Sequence, residues 1–283
     1  MKPAQFDYVR AGSVEQATAL LAQHGARARI LAGGQSLMAM LNIRLAEPAL
    51  LIDISGLGGL RELRIDGDWV EIGAGVTQAE LLAWPALATE LPLLAMALPS
   101  VGHFQTRNRG TVCGSLAHSD PSSELPLCLA LLGGEVVLRS QRGTRRLRGQ
   151  AFQTGMLSTA REVDELLLAV RFPRARPGQG FAFHEVARRH GDFAIVALAV
   201  STDASGATLA VGGVADTPAL CKLGLARGGS DISGAELDAA LNAFAWEMGG
   251  NDDLHATARY RRELVRRLAP GLIAEALQRR GAA

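Results

Sequence analysis

Apolar and polar positions follow two periods along this 283-residue chain, and the switches between them mark out its elements. A Ser13-Val14-Glu15-Gln16 capping pattern opens an amphipathic helical stretch that ends at His24-Gly25. Residues 29–32 read as a short buried strand and Gly33-Gly34-Gln35-Ser36 as a tight turn. Residues 37–41 follow as a short helix or extended turn, and 50–54 as a second strand. Strands at 60–65 and 69–73 flank Asp66-Gly67-Asp68, a hairpin signal, and Thr77-Gln78-Ala79-Glu80 starts another capped helix. Between Pro92 and Gly114 the apolar pattern loosens, and residues 105–124 read as a long polar loop. A second hairpin joins 135–139 to 145–148, and a strand at 165–172 is closed by Pro173.

Residues 174–180 combine proline, glycine and charge, the composition of a linker. Beyond them, strands at 194–201 and 208–214 precede helices at 234–248 and 255–267 and an amphipathic tail, the strands-then-helices order of an α+β unit. The expected division is a domain over 1–175, itself split near 57 and 58, and a smaller domain over 178–283.

Composition narrows the function classes. At 48% hydrophobic and 20% charged, the chain can bury the cores of about two domains. Its 29 basic and 28 acidic residues leave a net charge of +1, which provides no general field for nucleic acid or a membrane surface. The longest apolar runs, 91–98 and 194–200, fall far short of a membrane span, and Asp7, Arg10 and Glu15 interrupt the place of a signal-peptide core. A cytoplasmic protein is the expectation. Three cysteines, Cys113, Cys128 and Cys221, are too few for an iron–sulfur cluster, which normally takes four thiolates. The six histidines show no metal-ligand spacing.

Three segments carry candidate chemistry. In Ile30-Leu31-Ala32-Gly33-Gly34-Gln35-Ser36-Leu37 a strand feeds two glycines and a hydroxyl at a helix start. That arrangement suits a phosphate, because backbone N–H groups can converge on it; a plain turn needing positive φ is the competing reading. Gly73-Ala74-Gly75 lacks the third glycine of a dinucleotide fingerprint and reads as a turn. The stretch 105–124 carries Thr111, Ser115, His118 and Asp120, short donors and acceptors for a nucleotide. It also holds the residue types of a hydrolase triad, though without a Gly-x-Ser-x-Gly elbow. The third segment, 183–193, places Arg188-Arg189-His190-Gly191-Asp192-Phe193 before an apolar strand, either near a cofactor or as a solvated turn.

Together these stretches resemble the FAD-binding medium subunit of the molybdenum hydroxylases, the group that includes the carbon monoxide dehydrogenase flavoprotein and the xanthine dehydrogenase flavin domain. Two motifs carry the resemblance, Ala32-Gly33-Gly34-Gln35-Ser36 and Thr111-Val112-Cys113-Gly114-Ser115 with His118-Ser119-Asp120-Pro121 behind. It implies an α+β fold: a vanillyl-alcohol-oxidase-type (PCMH-type) FAD-binding domain of two α+β subdomains, then a C-terminal domain with a three-stranded antiparallel sheet and helices. By position, residues 30–37 would take the FAD pyrophosphate and 111–115 the ribityl and phosphate groups, with His118 and Asp120 close by. Val101 and Leu167 match positions packed on the cofactor, Glu124 an acidic ribose or adenine contact, and Asp192 and Phe193 a loop beside the flavin ring. Cys113 and Ser115 replace the glycine and asparagine of the usual Gly-Gly-Asn, His184 stands where relatives often have lysine, and Phe193 offers no phenolic hydroxyl.

The resemblance implies an electron-transferring oxidoreductase subunit with no catalytic acid, base or nucleophile of its own. A small iron–sulfur subunit would carry the [2Fe-2S] clusters and a large subunit the molybdopterin cofactor, in a dimer of heterotrimers. A stand-alone FAD oxidoreductase using His190 or Asp192, or a non-catalytic nucleotide-binding protein, are the alternatives.

Overall fold

The computed structural model describes residues 2–224 and 234–280 and organises them around three main sheets. The first has three parallel strands in the order Asp7–Arg10, Leu50–Asp53, Ala28–Leu31. Its central strand is buried on both faces, which is why 50–53 reads as an unbroken apolar run into Asp53. The helix Val14–His24 crosses from the first strand to the third, with the Ser13 hydroxyl accepting from the Gln16 N–H at 3.1 Å.

The second sheet is antiparallel, ordered Leu63–Asp66, Trp69–Gly73, Leu166–Pro173, Glu135–Ser140, Gly143–Arg148. Both expected hairpins are its edges. Arg171 on the middle strand is nearly buried and bonds Asp66 at 2.5 Å, with Glu71 at 3.2 Å from its Nε.

Three expectations about local structure change. The polar stretch 105–124 is largely helical, as Phe104–Arg109, Val112–His118 and the first residue of Glu124–Leu132. These helices are too short to show an amphipathic period; Thr111 nevertheless caps the second, its hydroxyl accepting from the Gly114 N–H at 2.9 Å. The C-terminal sheet has four strands, not three: Gly180–Val186, Val196–Asp203, Gly206–Gly212 and Ala219–Gly224, antiparallel in chain order. The first begins directly after the linker, and the last is a half-exposed edge with little apolar alternation. The final helix and tail form one element, Ala258–Arg280, running through Pro270.

The third sheet is apolar on both faces, with residues of different size on each. On Val196–Asp203, Ala197 and Ala199 turn toward the first two sheets, whereas Val196, Leu198 and Val200 turn toward the terminal helices. Small side chains on the first face let the helix Glu124–Leu132 lie close against the sheet, while the larger ones fill the space under Gly234–Glu247 and Ala258–Arg280. Of the expected domain over 178–283, residues 225–233 and 281–283 lie outside the described residues.

Arg261 ties the last helix to this sheet. Its side chain is 4% exposed, and it donates to the carbonyls of Ile195 and Gly213 and to Asp253 at 2.6 Å. Arg261→Met would leave the Ile195 and Gly213 carbonyls without their donor and should cost about 2 kcal/mol, read as an earlier urea midpoint with an unchanged slope.

Candidate functional site

The three sheets converge on one cleft of about 740 Å³, within the ~300–1,000 Å³ typical of small-molecule sites. Its first wall is the turn after the strand Ala28–Leu31. Gly34 adopts φ +73°, which glycine reaches without strain, and reverses the chain toward the short helix Leu37–Asn42. Gly33 is required for another reason. A Cβ there would overlap the Arg109 carbonyl oxygen and come within 2.8 Å of its carbon and 2.9 Å of the Gly110 Cα. The two motifs, far apart in sequence, therefore meet backbone against backbone.

The second wall is the Gly110-Thr111 turn and its capped helix. It is held by the Gln78 N–H donating to the Gly110 carbonyl at 2.9 Å and the Val112 N–H to the Val76 carbonyl at 3.1 Å. Cys113 sits inside that helix, 2% exposed, with its thiol against the Ile72 carbonyl. Its backbone is right-handed helical, so replacing glycine by cysteine costs no strain here, and burial pushes the thiol pKa up. Val101 and Leu167, both nearly buried, form an apolar floor.

The third wall comes from the C-terminal sheet. Gly191, at φ +83°, presses so closely on 102–103 that a Cβ would lie 2.7 Å from His103 Nδ1. This contact sets Asp192 and Phe193 on the rim; Asp192 pairs with Arg189 at 3.1 Å and Phe193 is 69% exposed.

Most residues marked in the sequence share this cleft: Ile30, Ala32 to Leu37, Val101, Thr111, Cys113, Gly114, Ser115, His118, Glu124, Leu167, Asp192 and Phe193. Four do not line it. Leu31 faces a smaller neighbouring pocket with Asp53 and Arg109. Val112 is fully buried beneath the helix. Asp120 stands behind His118, 3.9 Å from its Nε2, and accepts from the Ser122 N–H. His184 is exposed, since strand alternation turns it, with Ala182, away from the flank that carries Phe181, Phe183 and Glu185. His118 is partly buried, and that burial lowers its pKa against the pull of Asp120, which favours the neutral imidazole.

Structure adds residues that sequence reasoning missed. Gln78 lines the cleft with a buried, unpartnered Oε1, and Arg29 and Arg161 line it as well. Among the described residues neither arginine has a carboxylate within ion-pair distance; their guanidiniums donate to backbone carbonyls. Burial, then the nearby Arg29 charge, lowers the Arg161 pKa, so these two like charges share a region of the cleft. Only the capping box around Gln78 left a local trace in the sequence.

The cleft fits a dinucleotide such as FAD on one observation. The consecutive N–H groups of Gly33, Gly34, Gln35 and Ser36 have no acceptor among the described residues, yet all four residues line the cleft. A run of free donors at a glycine turn is an anion cradle matched to a pyrophosphate.

Fold and cleft together define an α+β protein built to hold a nucleotide cofactor between a glycine turn and a separate C-terminal sheet. Residues 4–175 match the family described as FAD binding domain in molybdopterin dehydrogenase, and residues 181–276 match the CO dehydrogenase flavoprotein C-terminal domain. The chain belongs to this family of FAD-binding medium subunits of molybdenum hydroxylases, which are oxidoreductases.

Among curated relatives it is 37% identical to the 6-hydroxypseudooxynicotine dehydrogenase complex subunit alpha of Paenarthrobacter nicotinovorans, covering 99% of this chain and 97% of that one. It is also 37% identical to the nicotine 6-hydroxylase medium subunit of the same organism, over 98% and 99%. Among solved structures, carbon monoxide dehydrogenase from Hydrogenophaga pseudoflava superposes with a TM-score of 0.91 at 31% identity, covering 99% of both chains.

The contact between the two turns gives a direct test. Gly33→Ala should weaken FAD binding at least about tenfold by forcing the turns apart. Gly58→Ala, at a glycine with open space around it, should leave binding unchanged in a flavin-fluorescence titration.

Proposed function

We propose that this chain holds FAD in the cleft between residues 30–37, 111–115 and 191–193 and serves as the electron-transferring subunit of a heteromeric molybdenum hydroxylase. The four free N–H groups from Gly33 to Ser36 carry the reading. They would hold the pyrophosphate, with the Arg29 and Arg161 guanidiniums adding positive potential from the same cleft. Thr111 and the helix it caps would present Gly114 and Ser115 to the phosphate and ribityl groups. Val101 and Leu167 would exclude water beneath the ring, and Gly191 would place Asp192 and Phe193 at its edge. When bound, FAD supplies the redox chemistry, taking electrons from iron–sulfur centres and yielding them to an external acceptor.

No residue of this chain is assigned an acid, base or nucleophile role in substrate turnover. The partners in this reading are a small [2Fe-2S] subunit and a large molybdopterin subunit, arranged as a dimer of heterotrimers in the cytoplasm. Among the described residues no helix is long and apolar enough to cross a membrane. The domain division proposed is 1–175 for the cofactor domain and 178–283 for the C-terminal one, with residues 174–180 between the second and third sheets.

The purified protein should show a two-banded flavin absorption spectrum that dithionite bleaches, and it should release FAD on denaturation. A correctly folded, colourless protein that takes up no added FAD would overturn the reading. Co-purification of a molybdopterin-bearing and an iron–sulfur-bearing subunit with the tagged chain tests the partners; FAD-loaded chain recovered alone from its native cells would refute them.

A further inference from the structure

Glu185 lies on the strand Gly180–Val186, on the flank whose Phe181 and Phe183 join the core of the cofactor domain. It is opposite Ala197, which joins that core too. There it meets Glu124, the first residue of the helix Glu124–Leu132. Glu124 is 6% exposed and lines the cleft; Glu185 does not line it, and its Oε2 is buried without a donor partner among the described residues. Two carboxyl groups in hydrogen-bonding contact and shielded from water cannot both be ionised at low cost.

The surroundings do not relieve the pair. Asp120, in the loop before the helix, adds negative charge, and Cys128, one turn along it, is a buried thiol that offers no cation. His118 is held toward its neutral form. Arg107 on the helix Phe104–Arg109 acts on Glu124 only from a distance, because its guanidinium donates to the carbonyls of Pro99, Val101 and Gly102. A proton is therefore the cation available to the pair.

We propose that Glu124 and Glu185 hold one shared proton that latches the C-terminal sheet onto the cofactor domain at the cleft wall, and that losing this proton loosens the cleft's hold on its flavin. The proposal rests on the flavin reading above. Glu185 acts as a positioning residue: as the protonated partner it donates to Glu124 and sets the carboxyl that faces the cleft.

The direction of the pH effect follows. Burial raises both groups above the ordinary carboxylate range, and the bond between them puts the proton on Glu185. The folded protein thus keeps a proton that the unfolded chain has already released, so the latch is at full strength below the unfolded carboxylate range. It weakens as pH rises through the raised values, about 7 for Glu124 and about 8 for Glu185, which belong to the pair together.

The test compares wild type with Glu185→Gln, whose amide donates to Glu124 at every pH. Flavin-fluorescence titration should show wild-type FAD affinity falling about tenfold from about pH 6 to about pH 9, with the variant nearly flat. The apoprotein's melting temperature should fall over that range in wild type and much less in the variant. Parallel pH profiles for both proteins, in affinity and in melting temperature, would overturn the latch. Wild type that binds no FAD at any pH would instead overturn the flavin reading, and the melting profiles would still decide the latch. If Glu185→Gln does not fold, Glu124→Gln decides the question by the slope of its profile.

Discussion

Everything at the cleft depends on a contact with no room for a side chain: the Gly33 backbone against the carbonyl of Arg109 and the Cα of Gly110. Gly33 lies in the turn after a strand of the parallel sheet, whereas Gly110 follows a helix and is held through Gln78 and Val112 beside the antiparallel sheet. Pressing the two turns together fixes how these subdomains face each other. It also leaves the Gly33 to Ser36 N–H groups unpaired on the open side. Half-buried or exposed, those donors are free to meet water or an anion, so the same contact that joins the subdomains leaves a row of donors open for a ligand.

The C-terminal sheet completes the site by the opposite strategy. It contributes close apolar packing, with Ala197 and Ala199 set against the cofactor domain, and one tight loop contact at Gly191. That surface, alanines on the central strands with Phe181 and Phe183 on the first, is continuous with the first core, so the sheet behaves as a wall of the cleft more than as an appended module. The superposition on carbon monoxide dehydrogenase over 99% of both chains shows the same arrangement of sheet and cofactor domain there.

The turn at Gly33-Gly34 was legible in the sequence because its signal is local, two glycines after a strand, whereas the Thr111-to-Ser115 motif was found through the family resemblance alone. The hairpins at 66–68 and 141–143 were legible from local signals as well. Helices of six and seven residues left no period to read, so 105–124 passed for a loop. The fourth strand of the C-terminal sheet was hidden because an edge strand needs apolar residues on one flank only. His184 and Glu185 show the limit most clearly. Adjacent letters point to opposite faces, and only the register with Ala197 reveals that the carboxylate is the one turned inward.

Charge along the cleft gives the arrangement a direction. The strand Ala28–Leu31 and the residues before Leu166–Pro173 bring in Arg29 and Arg161, with no carboxylate paired to either among the described residues. The wall facing the C-terminal sheet carries Glu124, with Glu185 of that sheet as its partner, and Asp192 stands on the rim. A dinucleotide cofactor such as FAD concentrates its negative charge on the diphosphate, between two ring systems that carry none. Placing the diphosphate among acids would add repulsion to desolvation, whereas the glycine turn offers donors on the side that the arginines make positive. On the shared-proton reading proposed above, the carboxyl pair leaves that wall less negative while it keeps its proton. Orientation of the ligand and protonation of the wall are thus two consequences of one charge distribution.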